Sequence, residues 1–132
     1  MRSSDFIGSV LSFAKEHQLW QTGDAILLAV SGGPDSLGLL LFFKEIAQKE
    51  GLRLGCCCVN HHLRDEAEEE TAFVASVCQD LQIPFYRKDV FVKETREREK
   101  GSLETVARDL RYGALREVKE QENFRYIALA HH

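Results

Sequence analysis

Short unbroken apolar runs alternate along this chain with longer stretches in which apolar residues recur every three or four positions, a pattern that predicts strands alternating with helices. Ala25–Val30, residues 52–59, part of residues 83–92 and residues 126–130 read as four strands. Residues 36–50, 64–81 and 103–118 read as the helices between them, with Gly51 closing the first and Ser102 capping the last. Phe6, Ile7, Val10, Leu11, Phe13 and Ala14 have helical spacing and place a further helix over residues 5–20. Strands that are apolar throughout and separated by helices call for an α/β fold, an open parallel sheet covered on both faces. Residues 1–132 show no internal repeat or linker and read as one domain.

Composition adds little. A chain of 132 residues, 44% hydrophobic and 29% charged, suits one soluble globular domain. No apolar run approaches the roughly 20 residues of a membrane span. The start MRSSDF lacks a signal-peptide core, so the expectation is a cytoplasmic protein with no membrane partner. Of the four cysteines, Cys56, Cys57 and Cys58 are contiguous in an apolar stretch and Cys78 sits in a helical pattern, so no C-x-x-C spacing exists. Strand alternation sends Cys57 to one sheet face and Cys56 and Cys58 to the other. They read as small buried hydrophobes, with a redox or iron-sulfur role as the alternative.

The chemistry enters with Ser31-Gly32-Gly33-Pro34-Asp35-Ser36, between the first strand and the next helix. Glycines let the backbone turn its N–H groups outward, and the helix directs its positive end at the turn, so an anion such as phosphate is the natural occupant. Neither G-x-x-x-x-G-K-[ST] nor G-x-G-x-x-G is present. The alternative is an ordinary Gly-Pro-Asp turn capping a helix. The hexapeptide resembles the SGGxDS loop of the ATP pyrophosphatases, the PP-loop family, which implies a Rossmann-like sheet of the adenine nucleotide alpha hydrolase type. It also implies cleavage of ATP between its alpha and beta phosphates. Ser31, Gly32, Gly33 and Ser36 become pyrophosphate donors, Pro34 a member of the ATP loop, and Asp35 a magnesium ligand. Hydroxyls and bare amides suit phosphate oxygens, and a carboxylate suits magnesium.

Open parallel sheets bind ligands beyond the carboxyl ends of their strands. Besides the hexapeptide, that rule selects Asn60-His61-His62-Leu63-Arg64 and His131-His132. VNHHLRDEAEEE is similar to the V-N-H-x-L-R segment of bacterial tRNA(Ile)-lysidine synthetases. ETVARDLRYGAL resembles their E-x-x-A-R-x-x-R-Y-x-x-L helix, and ALAHH the start of their A-H-H-x-D-D-Q segment. The resemblance implies ATP-dependent joining of free lysine to the wobble cytidine of isoleucine tRNA: ATP adenylates the cytosine C2 oxygen and the lysine ε-amine displaces AMP. Arg64, Arg108 and Arg111 are the expected ATP contacts, Arg108 and Arg111 sharing a helical face. A salt-bridged helix is the plainer reading, since Glu104 lies four residues before Arg108. Only about one free lysine amine in two thousand is neutral at pH 7, so a base is needed. His131 or His132 is the candidate, with Asp35 and Arg111 completing the catalytic set.

Three features complicate that picture. The chain stops at His132, before the aspartates and last strand of the pattern, so the expectation is an incomplete portion of a longer enzyme, inactive in ligation by itself. A net charge of −4 and the run Asp65, Glu66, Glu68, Glu69, Glu70 suit a solvated helix face better than a phosphate backbone. Arg87, Lys88, Lys93, Arg96, Arg98 and Lys100 form the one basic-leaning segment and the candidate for tRNA contact. The competing readings are a tRNA 2-thiocytidine synthetase, which would show paired C-x-x-C cysteines; an amidating NAD or GMP synthetase, which would lack the N-H-x-L-R and A-R-x-x-R-Y segments; and a non-catalytic nucleotide-binding module.

Overall fold

The computed structural model describes residues 23–31, 34–98 and 101–129, with the side chains of 34–36 outside the description. Strand β1 (Ala25–Val30) leads to helix α1 (Pro34–Glu50), β2 (Arg53–Asn60), α2 (Ala67–Leu81), β3 (Phe85–Asp89), the short helix α3 (Val92–Arg98), α4 (Leu103–Gln121) and β4 (Tyr126–Leu129). The helix expected over residues 5–20 lies outside the described residues. The four strands form one parallel sheet in the order β3-β2-β1-β4.

Alternation along the strands sorts the core into two layers. Ile26, Leu28 and Val30 of β1 and Leu54, Cys56 and Cys58 of β2 pack with Leu40, Phe43 and Ile46 of α1 and Val74 and Cys78 of α2. Leu27, Ala29 and Cys57 point the other way, onto Leu115 and Val118 of α4 and onto Phe124. Helices thus cover both faces, and the three adjacent cysteines divide between them as the pattern requires. Fully burying one such leucine stabilises the fold by about 1.5–3 kcal/mol. All four thiols are buried and unpaired by disulfides. Burial pushes Cys57 up to about 12, and a hydrogen bond with Cys78 followed by burial raises Cys56. Neither is a thiolate at neutral pH. With side chains on opposite faces of one strand, the three contiguous cysteines cannot converge on a metal cluster.

Helix ends follow local chemistry. Gly51 adopts φ 65° after α1, and the Ser102 hydroxyl accepts the Thr105 N–H at the start of α4. Two departures from the sequence pattern occur on either side of β3. Helix α2 starts at Ala67 rather than 64, because the preceding residues give their backbone N–H groups to side chains instead. Residues 92–98, for which the sequence pattern assigns no helix, form α3, anchored by the buried Val92. Among the described residues no helix is long and apolar enough to cross a membrane.

Candidate nucleotide site at the carboxyl rim of the sheet

The strand order reverses direction at β1. From β1 the chain moves outward through β2 to β3, then returns to place β4 on the other side of β1. The connections leaving β1 and entering β4 run on opposite faces, since α1 packs on one layer and α4 on the other. A crevice opens at such a switch point, and ligands of open α/β sheets occupy it. The sequence 31–36 leaves β1 there. Ser31 is exposed, and residues 34–36 form the first turn of α1, which aims the positive end of a 17-residue helix at the loop. Gly32, Gly33, His131 and His132 lie outside the described residues, as do the side chains of Pro34, Asp35 and Ser36.

One strand away, β2 ends in the fully buried Asn60. Its Oδ1 accepts the His62 N–H at 3.0 Å, its Nδ2 donates to Glu68 Oε2 at 3.1 Å, and its carbonyl accepts the Val90 N–H at 2.9 Å. One side chain therefore pins the loop after β2 to α2, while its carbonyl pins it to the end of β3. His62 takes a left-handed φ of 54° to make this turn. The Leu63 N–H donates to His61 Nδ1 at 3.0 Å, so that nitrogen is unprotonated and the neutral ring carries its proton on Nε2. Burial first, then the charge of Arg64, holds the His61 imidazole below its usual range, with Arg111 of α4 adding in the same direction. His61 is a neutral hydrogen-bond donor at physiological pH.

Beyond this loop runs a closed polar ring. Arg87 of β3 donates to both Glu68 oxygens at 2.7 and 2.6 Å and to Asp89 at 3.0 Å. Asp89 Oδ1 also meets His62 Nε2 at 2.8 Å, and Glu68 returns to Asn60. The hydrogen bond from Arg87 is the main reason both Glu68 and Asp89 stay below the usual carboxylate range. A cleft of about 270 Å³ beside the ring is lined by Asn60, His62, Arg64, Asp65, Glu68 and Lys93, among others.

The three expected arginines separate. Arg64 is exposed and held bidentate by Glu70 at 2.8 and 3.2 Å. Arg108 is exposed and lies over the Tyr112 ring of its own helix, 5.7 Å from its centroid; among the described residues it makes no ion pair with Glu104. Arg111 is half-buried, acts on His61 electrostatically, and has no ion-pair partner among the described residues. Of the three it is the one that combines partial burial with the lack of an ion-pair partner among the described residues. Part of the acidic run is not merely solvated, since Glu68 and Glu70 bind Arg87 and Arg64. Asn60 as a pin and Asp89 as a histidine partner are not evident in the sequence, because both roles depend on β2 and β3 ending side by side. Among the described residues no group of three or more His, Cys, Asp or Glu converges to cage a metal. Single carboxylates suit magnesium, which keeps waters and substrate phosphates as its other ligands.

A helix that starts at the switch point, a neutral histidine on the next loop and an arginine with no ion-pair partner among the described residues are features that open α/β nucleotide-binding domains share. The chain belongs to the PP-loop family, whose domain matches residues 4–132. It is 34% identical over 128 residues to the tRNA(Ile)-lysidine synthase of Petrotoga mobilis, covering 97% of this chain and 41% of that protein. It is 37% identical over 121 residues to the tRNA(Ile)-lysidine synthase of Enterococcus faecalis, covering 89% and 25%. The chain thus spans less than half the length of these relatives. Among solved structures, the NH3-dependent NAD synthetase of Campylobacter jejuni superposes with a TM-score of 0.71 at 16% identity, over 97% of this chain and 56% of that one. The U34-tRNA thiolase NcsA of Methanococcus maripaludis, with its [4Fe-4S] cluster, gives 0.73 at 16% identity, over 84% and 39%. At that identity the two share the fold with this chain and nothing further is carried across.

Proposed function

We propose that this chain is the ATP-binding and adenylating part of a tRNA(Ile)-lysidine synthase, which joins free lysine to the wobble cytidine of isoleucine tRNA and releases AMP and pyrophosphate. The observation that carries the reading is Arg111, which has no ion-pair partner among the described residues and whose charge reaches His61, one strand from the turn into α1 at the switch point. That arrangement suits a triphosphate whose alpha phosphorus lies between a pyrophosphate cradle and a free guanidinium. Ser31, Gly32, Gly33, Pro34 and Ser36 line the cradle, and the helix end stabilises the departing negative charge. Arg111 faces the alpha phosphate, and Arg64 and Arg108 approach ATP from the rim, Arg64 after exchanging Glu70 for phosphate. Asp35 would hold magnesium together with the phosphates, and the ion would supply charge neutralisation at the leaving group.

In the first step the cytosine C2 oxygen attacks the alpha phosphorus and pyrophosphate leaves. In the second the lysine ε-amine attacks C2, AMP leaves, and the amine proton passes to His131 or His132. His61, neutral and donating through Nε2, is suited to hold a phosphate or ribose oxygen without adding charge. A sulfur-inserting reading with a cluster on this chain's own thiolates is disfavoured by the cysteines, which are buried and split between two faces.

The test is incubation of the full-length protein with ATP, magnesium, radiolabelled lysine and unmodified isoleucine tRNA. The reading expects lysine incorporation with one AMP and one pyrophosphate formed for each. ADP as the main product, or AMP formation with no lysine transferred, would overturn it.

A further inference from the structure

Phe91 is, with Leu41 and Phe73, one of the large hydrophobic residues left exposed on the described surface, and it alone of the three is stacked on a histidine ring. It is 52% exposed, yet its backbone is fixed: its carbonyl accepts both the Thr95 N–H and the Thr95 hydroxyl, and Val92 beside it is 1% exposed and buried in the core. The ring is stacked on His62, with centroids 4.8 Å apart and planes inclined by 11°. The His62 ring is itself oriented by Asp89, and Asp89 by Arg87. The protein thus spends a left-handed residue and a polar ring on holding two parallel aromatic planes at the solvent boundary.

Charge on this corner is sorted. Arg87 and Lys88, which head the basic-leaning segment, are consumed internally by Glu68, Asp89 and Glu117. Glu68 and Asp89 are neutralised in the same contacts. Lys93, on the cleft wall beside His62, is exposed and makes no ion pair among the described residues. Arg96 lies three residues on, on the same side of α3. An exposed aromatic stack with a cation on the adjoining wall is the combination by which proteins hold an unstacked nucleotide, the base on the ring and the phosphate on the cation.

We propose that Phe91, stacked on His62 with Lys93 on the adjoining cleft wall, is a docking platform for a single-stranded RNA nucleotide neighbouring the base that reacts. This rests on the reading of the chain as a tRNA-modifying enzyme. It assigns the contact to this corner and withdraws Arg87 and Lys88 from it. The position fits. Phe91 follows β3, two strands and so about 10 Å across the rim from β1, far enough to leave the ATP crevice clear and near enough for an adjoining nucleotide.

The experiment measures binding of a fluorescently labelled anticodon stem-loop with cytidine at the wobble position to the full-length protein, by anisotropy over a range of salt concentrations, beside ATP affinity by calorimetry. Phe91→Ala and the bulk-preserving Phe91→Leu should each weaken RNA binding about tenfold. Lys93→Ala should lower the slope of log affinity against log salt by about 1. ATP affinity should stay unchanged in all three variants, whereas a platform for the adenine of ATP would lose it. RNA affinity within twofold of wild type in Phe91→Leu, or a loss of ATP affinity instead, overturns the proposal. Lysine transfer by the unsubstituted protein is scored separately. If it fails while Phe91→Leu still weakens RNA binding, the enzymatic reading falls and the platform stands; the reverse result separates them the other way.

Discussion

The same parallel strands end very differently at their two rims. At the amino rim several polar groups are tied to other parts of the fold. Arg53 lies 4.3 Å over the centroid of Phe124 and donates to the carbonyls of Glu122 and Asn123 at the end of α4. The backbone N–H groups of Gly23, Leu52, Arg53 and Arg125 all find carbonyls of neighbouring segments. Gly55 of β2 admits the Phe124 ring so closely that an added Cβ would sit 2.3 Å from its tip. At the carboxyl rim the side chains are held just as firmly, but several point their chemistry outward: His61 Nε2, Arg111, Phe91 and Lys93. One rim closes the structure and the other presents groups to a ligand. Substitutions at the two should therefore separate stability from activity.

The largest effect expected is on turnover. Arg111→Ala should lower lysine transfer by about a hundredfold to a thousandfold, the usual consequence of losing one charge-stabilising donor, with the unfolding midpoint nearly unchanged. Radiolabel assays beside thermal melts check it, and a large drop in melting temperature would break the separation of rims. On the opposite rim, Gly55→Val should cost about 3 kcal/mol of stability by displacing Phe124, measured by urea unfolding. Its ATP affinity, at temperatures where it is folded, should match wild type. Asn60→Ala sharpens the comparison from within the carboxyl rim. It should cost about 2 kcal/mol, because the His62 N–H loses its acceptor, and it should weaken RNA binding as well, since the same turn orients the His62–Phe91 stack.

The smallest effect is acid sensitivity of the polar ring. Glu68 and Asp89 have folded-state values lowered chiefly by Arg87. Their contribution is therefore full above the unfolded carboxylate range of about 4 and is lost as pH falls through the lower folded values. The stability gap between wild type and Arg87→Met should narrow as pH drops from about 5 to about 2, and a gap constant with pH would show that the ring carries no linkage.

Strands β1 and β2 and most helices were legible because burial on both faces leaves nearly continuous apolar runs in the central strands, and the caps at Gly51 and Ser102 mark ends by themselves, whereas β3, FYRKD with no buried residue, was placed only within a wider range. Helix α3 was not. Its seven residues alternate charge so closely that a single buried position, Val92, carries the periodic signal. That the loops leaving β1 and β2 meet at one rim was also readable, since strand order alone brings them there. Asn60, Asp89 and Phe91 escaped because their roles arise across strands: Asn60 pairs with Asp89 only in the register of β2 with β3, and His62 meets Phe91 29 positions along the chain. Arg64 and Arg111 looked equivalent as motif residues. The fold distinguishes them, giving Arg64 both oxygens of the Glu70 carboxylate and Arg111 no carboxylate partner among the described residues.

The central claim is that the carboxyl rim at β1 holds ATP and magnesium while the amino rim holds only the fold. Calorimetric titration of magnesium-ATP into wild type, Asp35→Ala and Arg53→Ala tests it in one series. The account predicts that Asp35→Ala loses most of its magnesium-dependent affinity with its melting temperature kept, and that Arg53→Ala melts lower yet binds ATP as wild type does. Unchanged ATP affinity in Asp35→Ala would contradict it.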